Sequence, residues 1–305
     1  MRMPRPLCPG DTVALIGVSG AIRGEDVAGE VARRAAELEA LGFRVRVDDS
    51  CFGHYGYLSG TDAQRAAAMN RAFADDAVDG VWCIRGGYGC MRILPLLDWP
   101  MIARHPKAFI GYSDITALHL ALNRRCELCT FHGPMPGHLP ESAWSRDSLL
   151  HALAGQPDGT LANPPDMPLE TLAPGVAQGQ LVGGNLTLVA ASLGTPDEVD
   201  VAGKLLFLED VGERTYTLDR YFHQLALAGK LRQCAGVILG QFTDCVVEHL
   251  DAGLTIRQVL ADVFGASPVP VISGLMAGHV RETLTLPLGR TYRLDANRRE
   301  IRLVD

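Results

Sequence analysis

The sequence predicts an α/β protein of two domains: an N-terminal domain built on a doubly wound parallel sheet and a smaller C-terminal α/β domain with a β-rich end. Three observations predict this fold class. In the first half, apolar strand-like runs alternate with amphipathic helical segments. Residues 156–178 are rich in proline and show neither the helical nor the strand periodicity of apolar residues. Residues 284–304 resemble short strands around a turn. A length of 305 residues also suits two domains that each bury a core. We therefore expect domains at 1–155 and 179–305, with 156–178 as a linker.

The first half is expected to alternate strands with helices. Apolar runs predict strands at 12–18, 43–47, 80–84 and 108–111, and helical spacing predicts helices at 25–41 and 66–73. This β-α-β-α order predicts a parallel sheet of flavodoxin-like or class I glutamine amidotransferase-like type, because parallel neighbours need crossover connections. In such sheets the ligand site lies at the carboxyl ends of the strands.

The second half resumes with a helix that is opened by Gly183-Gly184-Asn185-Leu186. After it, the hydrophobic pattern predicts strands at 204–208, 236–241 and 269–272, and helices at 218–228 and 256–264. Further β structure is predicted at 284–289, 291–294 and 301–304, around a turn at 295–297.

Charge and composition argue against several classes of partner. The formal net charge is −7 and the arginines are scattered, so we expect no nucleic-acid partner. No run approaches the roughly 18 apolar residues of a membrane span, and residues 1–10 lack the apolar core of a secretory signal, so we expect no membrane partner and a cytoplasmic location. The eight cysteines lie singly, as reduced thiols do. For Cys126 and Cys129, two facing strand residues are expected rather than a zinc or redox site.

The strongest chemical signal lies in residues 108–120. An apolar strand-like run breaks at Gly111 and resumes as an apolar helix, with Ser113 on the break. A tight strand-to-helix turn exposes a serine hydroxyl above the carboxyl edge of a sheet, and it presents the next backbone N–H groups to a developing oxyanion. We interpret Ser113 as a nucleophile and the backbone N–H of Asp114 as one oxyanion donor.

Two further loops follow predicted strand ends and should converge on the same edge as Ser113. They are Ser19-Gly20 and Arg85-Gly86-Gly87-Tyr88-Gly89. Glycine has no Cβ to keep a ligand away from the backbone, so Gly87 is the candidate for the second oxyanion donor. Glycines that only form a tight turn would give the same pattern.

A serine nucleophile needs a histidine base and a carboxylate that holds the histidine tautomer. Of nine histidines, His132 and His138 flank a turn and could approach the same edge, whereas His119 and His223 lie in predicted helices, where packing or surface roles are the default. His279 follows Gly278 and precedes a polar loop, a position suited to presenting an imidazole.

The candidate carboxylate is Glu209, which ends an apolar strand, while Asp210 should point to the opposite face because strand side chains alternate. The residue pattern alone supports a Ser–Glu–His set. It does not choose that set over the rival histidines, or over acids that only begin a polar loop.

Several motifs occur together in the chain: Arg85-Gly86-Gly87-Tyr88-Gly89, Gly111-Tyr112-Ser113-Asp114, Gly183-Gly184-Asn185-Leu186, Leu208-Glu209-Asp210-Val211-Gly212-Glu213, and Gly278-His279 with Leu286-Pro287-Leu288-Gly289. In these motifs and in their order, the sequence resembles the LD-carboxypeptidases, serine peptidases that include tetrapeptide-recycling enzymes and microcin C immunity proteins. Two positions depart from familiar patterns. The serine turn lacks the second glycine of the G-x-S-x-G elbow of α/β-hydrolases, and the segment Val280-Arg281-Glu282-Thr283 lacks the asparagine that many relatives carry near position 283.

The resemblance implies a triad with Ser113 as nucleophile, Glu209 as orienting carboxylate and His279 as general base and then acid. It places Ser113 in the first domain and the other two in the second, so the site would lie between domains. It also implies no metal or other cofactor and a homodimer. The implied reaction is hydrolysis of the amide between an L-diamino acid and the terminal D-alanine of a cytoplasmic murein tetrapeptide, in peptidoglycan recycling. Candidate substrate contacts are Arg85, for the free carboxylate, with Tyr88 and Asn185.

Two alternatives remain open at this stage. An immunity-type peptidase would cleave an aminoacyl-nucleotide conjugate, but such relatives tend to be longer and to carry a tryptophan-bearing loop that stacks the nucleobase. Here the three tryptophans, Trp82, Trp99 and Trp144, precede the predicted second domain, which favours the tetrapeptide. A non-catalytic two-domain protein that binds a small ligand is the alternative from another class.

Overall fold

The computed structural model describes residues 1–155, 159–247 and 253–304. The chain forms two compact units. The first consists of Met1–Pro157 with Thr285–Pro287, and the second of Asp158–Leu284 with Leu288–Asp305. No helix in the described ranges is both long and apolar enough to cross a membrane.

The strands are β1 (Thr12–Ile16), β2 (Arg44–Val47), β3 (Gly80–Cys83), β4 (Ala108–Gly111), β5 (Thr130–His132), β6 (Glu170–Ala173), β7 (Val176–Asn185), β8 (Leu205–Val211), β9 (Gly236–Thr243), β10 (Val271–Ser273), β11 (Leu286–Leu288), β12 (Thr291–Asp295) and β13 (Glu300–Leu303). The α-helices are α1 (Val27–Ala40), α2 (Asp62–Ala74), α3 (Cys90–Ile93), α4 (Trp99–Arg104), α5 (Thr116–Cys126), α6 (Ala143–Leu153), α7 (Leu186–Ala191), α8 (Thr215–Leu227), α9 (Lys230–Gln233) and α10 (Ile256–Phe264).

The sheet of the first unit has the order β11-β5-β4-β3-β1-β2, and the pairs from β2 through β5 are all parallel. The prediction of a doubly wound, flavodoxin-like sheet is therefore confirmed. Strands β1, β3 and β4 are buried along their whole length, as expected for strands covered on both faces. The edge strand β2 is mostly exposed and carries Arg44 and Arg46, charges that discourage pairing with another chain.

Local sequence signals explain where the first helices begin. The Asp26 side chain caps α1 by accepting from the backbone N–H of Gly29, and Thr61 with Gln64 forms a complete capping box at the start of α2. Against the sheet packs a core that includes Trp82, whose ring lies edge-on to Phe43 at 5.9 Å between centroids. Each large side chain buried in this way contributes about 1.5–3 kcal/mol.

Strand β11 comes from late in the sequence yet belongs to the sheet of the first unit. Just before it, the backbone N–H of Thr285 donates to Ser148 Oγ at 3.1 Å. A Cβ on Gly133 would lie 2.9 Å from the Thr285 side chain, so glycine permits this close approach. Sequence reasoning predicted β structure here but assigned it to the C-terminal domain, because local periodicity carries no information about a partner more than 140 residues away.

The sheet of the second unit has the order β13-β12-β7-β8-β9-β10-β6. Strands β7 to β10 form a parallel centre, the β12–β13 pair is antiparallel on one edge, and β6 is antiparallel on the other. This is the predicted α/β unit with a β-rich end. The inner strand β8 is buried from Leu205 to Asp210, which places acidic side chains inside the unit.

Some expectations in the second half need correction. Helix α7 begins at Leu186, and Gly183 and Gly184 lie in strand β7 rather than in a helix start. Of the predicted linker, residues 156–158 lie outside the described residues, and the remainder contains β6 and the first residues of β7. Pairing of β6 with β10 overrides the irregular local pattern.

Cys126 was expected on a strand, but it is the last residue of helix α5. Both Cys126 and Cys129 are buried free thiols, as are most of the other cysteines.

Candidate active site

Ser113 lies on a strained turn between β4 and α5. Strand β4 ends at Gly111, and Ser113 opens a 3₁₀ turn, Ser113–Ile115, that leads directly into the helix. The φ angle of Ser113 is +66°, in the left-handed region that costs a non-glycine residue about 1–3 kcal/mol. A Cβ on Gly111 would lie 2.9 Å from the Ile115 side chain, so the turn can close this tightly only with glycine there. The serine side chain is left partly exposed, as a nucleophile requires.

Gly86 of the loop after β3 packs directly against this serine. A Cβ on Gly86 would lie 2.8 Å from Ser113 Cβ and 3.1 Å from Ser113 Oγ, so any side chain there would collide with the hydroxyl-bearing group. The next residue, Gly87, is exposed and has φ of +127°, a conformation that favours glycine. The glycine run therefore brings bare backbone to the serine.

The strand-end loops of the first unit converge, as the strand order predicted. The backbone N–H of Gly20, after β1, donates to the Gly86 carbonyl at 3.2 Å. The Ser19 hydroxyl donates to Asp114 Oδ2 at 2.6 Å, and that carboxylate is buried. Loops following β1, β3 and β4 thus meet at one edge of the sheet.

Arg85 and Tyr88 belong to the same loop but differ in their surroundings. Arg85 is half-buried and donates from Nη1 to the Ala21 carbonyl at 2.7 Å and from Nε to the Gly86 carbonyl at 3.1 Å. Burial lowers the pKa of its guanidinium, and the charges of neighbouring arginines add to the effect. Tyr88 is exposed, with its ring edge-on to Tyr57 at 5.5 Å. Their substrate contacts stay predictions.

In the second unit, Glu209 and His279 form a close pair. Glu209 Oε2 lies 2.7 Å from His279 Nδ1, with the glutamate side chain 0% and the histidine side chain 15% exposed. An ionised carboxylate can only accept a hydrogen bond, so it holds the imidazole proton on Nδ1 and leaves the lone pair on Nε2. That tautomer is the one a general base needs.

Two glycines and a threonine explain why this pair can form. A Cβ on Gly278 would lie 2.5 Å from Glu209 Oε2, and a Cβ on Gly240 would lie 3.1 Å from Glu209 Cβ. The pairing of β8 with β9 also shifts register beside Glu209. Thr283 accepts from the backbone N–H of Gly278 at 3.3 Å and so helps to close the loop that carries His279.

Asp210 faces the other side of β8 and has structural partners. Its carboxylate accepts from Asn185 Nδ2 at 2.8 Å and from the Thr187 hydroxyl and backbone N–H at 2.8 and 2.9 Å. Burial, reinforced by the charge of Glu209, raises the pKa of the Asp210 carboxyl. Asn185 is buried and also caps α7 through the backbone N–H of Leu188. Those contacts are the ones expected of a helix cap, and a substrate contact for Asn185 stays a prediction.

The other histidines have different surroundings. His119 is buried and donates from Nε2 to the Gly111 carbonyl at 2.9 Å, and burial lowers its pKa to about 4. His132 is buried on β5 with its ring edge-on to Tyr112. His138 is exposed, and His223 is an exposed residue of α8 beside Asp219. Of the pairs His105–Asp76, His223–Asp219 and His279–Glu209, the last has the carboxylate with no exposure.

Several residues of the site were missed by sequence reasoning. Gly86 was overlooked in favour of Gly87, although both belong to the same glycine run. The carboxylate of Asp114 was overlooked because only its backbone N–H was considered, and Ser19 was noted only as a loop residue. Within the described residues, no group of three or more His, Cys, Asp or Glu is placed to hold a metal ion.

A strained serine at the carboxyl edge of one α/β unit, and a buried carboxylate–histidine pair in a second, are the parts from which hydrolases of the peptidase class are built. Comparison with family models agrees: residues 13–133 match the LD-carboxypeptidase N-terminal domain, and residues 178–294 match the LD-carboxypeptidase C-terminal domain. The chain belongs to the LD-carboxypeptidase family and is a peptidase.

Related proteins cover most of the chain. A probable murein peptide carboxypeptidase of Bacillus subtilis is 39% identical, over 83% of this chain and 80% of that protein. The murein tetrapeptide carboxypeptidase of Pseudomonas aeruginosa is 34% identical, over 94% of each.

Solved structures share the fold. The wild-type microcin C7 self-immunity protein MccF without ligand superposes with a TM-score of 0.88 at 25% identity, over 100% of this chain and 99% of that one. The muramoyltetrapeptide carboxypeptidase of Oxalobacter formigenes superposes with a TM-score of 0.79 at 26% identity, over 96% and 97%.

Proposed function

We propose that the protein is a serine-type LD-carboxypeptidase that releases the terminal D-alanine of murein tetrapeptides by hydrolysing its amide bond to an L-diamino acid. The triad of this proposal is Ser113, Glu209 and His279. Relatives named as murein peptide and murein tetrapeptide carboxypeptidases support this substrate class.

The observation that carries the proposal is the strained turn at Ser113 together with the backbone packed against it. A serine with φ of +66° is strained, and strained residues cluster at active sites. The turn leaves Ser113 partly exposed, beside the bare backbone of Gly86 and at the start of a helical segment. This is the local geometry that a nucleophile with adjacent oxyanion donors requires.

In the proposed first half-reaction, His279 Nε2 takes the proton of Ser113 as Oγ attacks the carbonyl carbon of the L-residue. The backbone N–H groups of Gly87 and Asp114 stabilise the oxyanion of the tetrahedral intermediate. The imidazolium then gives its proton to the leaving amine, so D-alanine departs and an ester to Ser113 remains.

In the second half-reaction, a water loses a proton to His279 and attacks the ester carbonyl. The tetrahedral intermediate collapses, Ser113 recovers its proton from the imidazolium, and the shortened peptide leaves with a new carboxyl group. Glu209 stays ionised throughout and holds the tautomer and orientation of His279.

Substrate contacts are assigned by the same proposal to Arg85, Tyr88 and Asn185. A carboxypeptidase must bind a free carboxylate, and a guanidinium suits it. Arg85 already donates two N–H groups to backbone carbonyls, so it would offer a carboxylate its remaining donors. Exposed Tyr88 is available to a ligand without rearrangement, whereas buried Asn185 would act through the β7–α7 junction.

The runner-up function is cleavage of aminoacyl-nucleotide conjugates. A related structure is described as MccF in complex with aspartyl sulfamoyl adenosine. In this chain all three tryptophans lie in the first unit, and the Trp82 indole is fully buried with its N–H on the Pro134 carbonyl. The lack of any tryptophan in the sequence after Trp144 favours the peptide substrate.

The proposed setting is the reducing cytoplasm, in peptidoglycan recycling. All eight cysteines are free thiols, which supports a reducing compartment. The resemblance to the family further implies a homodimer without metal.

The test is a chromatographic assay of D-alanine release from L-Ala-γ-D-Glu-L-diamino acid-D-Ala tetrapeptides, with meso-diaminopimelate or L-lysine as the diamino acid. Aspartyl sulfamoyl adenosine is incubated in parallel. We expect D-alanine from a tetrapeptide and no cleavage of the adenosine conjugate, with activity abolished in Ser113→Ala. Preferential cleavage of the conjugate would support the runner-up, and a folded protein that binds these compounds without turnover would support a pure binding protein.

A further inference from the structure

We propose that Arg65 and Asp114 are positioning residues that together hold two strand-end loops and so fix the oxyanion donors around Ser113. The inference rests on the proposed role of Ser113 as nucleophile. All the contacts of Arg65 and Asp114 that support the inference lie within the first unit.

Asp114 supplies the anionic side of this arrangement. The residue follows Ser113 directly and is 2% exposed. A single oxygen, Oδ2, accepts from the Ser19 hydroxyl at 2.6 Å and from the backbone N–H of Cys90 at 2.9 Å. One carboxylate therefore holds the loop after β1 and the end of the loop after β3.

Arg65 supplies the cationic side. It lies on α2 and is completely buried. Its Nη1 donates to the Val18 carbonyl at 2.6 Å and to the Gly89 carbonyl at 2.9 Å, while Nη2 pairs with Asp62 Oδ1 at 2.6 Å. A Cβ on Gly89 would lie 3.0 Å from Nη1, so the approach of the guanidinium is close.

The two sets of bonds fall on the same two dipeptides. In Val18-Ser19 the carbonyl of the first residue is bound by Arg65 and the hydroxyl of the second by Asp114. In Gly89-Cys90 the carbonyl of the first residue is bound by Arg65 and the backbone N–H of the second by Asp114. A cation and an anion thus hold both loops at adjacent residues.

The held segments frame the backbone that touches the nucleophile. Loop 85–89 ends at the Gly89-Cys90 point, and its Gly86 packs on Ser113 while accepting from the N–H of Gly20. Asp114 also contributes one of the two proposed oxyanion N–H groups. Displacement of these loops by a few tenths of an ångström would move the donors relative to the oxyanion, and such donors act only at hydrogen-bond distance.

Stability alone is a poor reason to retain these charges. A guanidinium and a carboxylate that are both buried carry a large desolvation cost, and apolar side chains of similar volume stabilise at least as well in many proteins. The guanidinium of Arg65 and the carboxylate of Asp114 each bind two loops at once, and in this way they fix the geometry around Ser113.

The test measures phosphorylation of Ser113 by diisopropyl fluorophosphate, a reaction in which an Oγ–P bond forms, the P–F bond breaks, fluoride leaves and the serine proton passes to the base. The variants are Asp114→Ala, Asp114→Asn, Arg65→Met and Ser19→Ala, and kcat and KM for D-alanine release are measured beside the labelling rate. Asp114→Asn retains an acceptor oxygen at the Oδ2 position, whereas Asp114→Ala retains none.

We expect Asp114→Ala to lower both kcat and the rate of labelling by diisopropyl fluorophosphate about 100-fold, with KM changed less than about threefold. Arg65→Met and Ser19→Ala should lower both rates about tenfold, since each loses hydrogen bonds to or from a charged group. Asp114→Asn should recover most of the loss.

Matched controls exist at the amino edge of the same sheet. Asp79 accepts from the backbone N–H of Thr12 at 2.8 Å, and buried Lys107 donates to the carbonyls of Ala72 and Asp75. Asp79→Ala and Lys107→Met should lower the melting temperature while leaving kcat and the labelling rate within about twofold.

The outcomes are separable. If wild-type Ser113 is not labelled by diisopropyl fluorophosphate and no D-alanine is released, the proposed function fails. If the wild type reacts but Asp114→Ala and Ser19→Ala react as fast, or lose no more rate than the controls at equal loss of stability, the positioning role is wrong. Ser19→Ala removes one hydroxyl only, so it decides the matter even if the larger substitutions fail to fold.

Discussion

The two units prepare their chemical groups in different ways. In the first unit, backbone geometry presents the reactive group: Ser113 has a φ of +66° and Gly86 offers bare backbone to it, while the side chains of Asp114 and Arg65 bind the neighbouring loops. In the second, side chains do the work: a buried carboxylate orients an imidazole at 2.7 Å, and glycines make room for the carboxylate. A serine hydroxyl becomes nucleophilic through the groups around it, whereas a histidine can act as a base at Nε2 only in the tautomer that carries its proton on Nδ1. We therefore expect the function of the first unit to be sensitive to loop geometry around Ser113. We expect that of the second unit to depend on the single atom of residue 209 that faces His279 Nδ1.

The largest expected effect that sharpens this contrast comes from Glu209→Gln. The carboxamide presents an N–H₂ group as well as an oxygen, so it no longer requires the proton on His279 Nδ1, and the wrong tautomer removes the base. We expect kcat for D-alanine release to fall about 10⁴-fold while KM changes little. The kcat is measured at saturating tetrapeptide.

Asp210→Asn is the matched control for this change, because Asp210 is the next residue of the same strand but binds Asn185 and Thr187 on the other face. It should cost stability, about 1–3 kcal/mol, with kcat within about fivefold of the wild type. Equal losses of kcat in the two variants would mean that the difference between the two faces of β8 has no catalytic meaning.

The sequence alone could predict the features that depend on local residue patterns, but not those that depend on contacts between distant parts of the chain. Alternating apolar runs were enough to predict the parallel sheet, and strand alternation predicted that Glu209 and Asp210 face opposite ways. Local periodicity could not assign β11 or β6, since each depends on a partner strand about a hundred residues away or more. Gly86 and the bonds between Arg65, Asp114 and the loops were also out of reach, because only the folded chain brings residues 18, 65, 89 and 114 together.

A smaller effect concerns how the serine turn of the first unit is supported. His119 donates to Gly111 just before that turn, and its pKa in the folded protein is about 4 against an ordinary value of 6.5. Between these two pH values His119 is protonated in the unfolded chain but neutral in the folded chain. The free energy of unfolding therefore falls as the pH falls from about 6.5 toward 4. At pH 4.5 the loss from this group is roughly 2–3 kcal/mol relative to pH 7.

His119→Gln isolates that contribution, because glutamine still carries an N–H donor but does not titrate in this range. Urea unfolding at pH 7 and pH 4.5, followed by the fluorescence of the tryptophans of the first unit, measures it. The wild type should lose roughly 2–3 kcal/mol more than the variant on acidification. The same pH dependence in both proteins would show that His119 is not held neutral by burial.

The most direct test of the account is the site and rate of labelling by diisopropyl fluorophosphate, determined by mass spectrometry of digested wild-type protein and of His279→Ala. The central claim is that Ser113 is made nucleophilic by the Glu209–His279 pair. It predicts one diisopropylphosphoryl group per chain, located on Ser113, with the rate lowered at least about 10³-fold in His279→Ala. Labelling of another residue, or an unchanged rate at Ser113 in a folded His279→Ala, would contradict it.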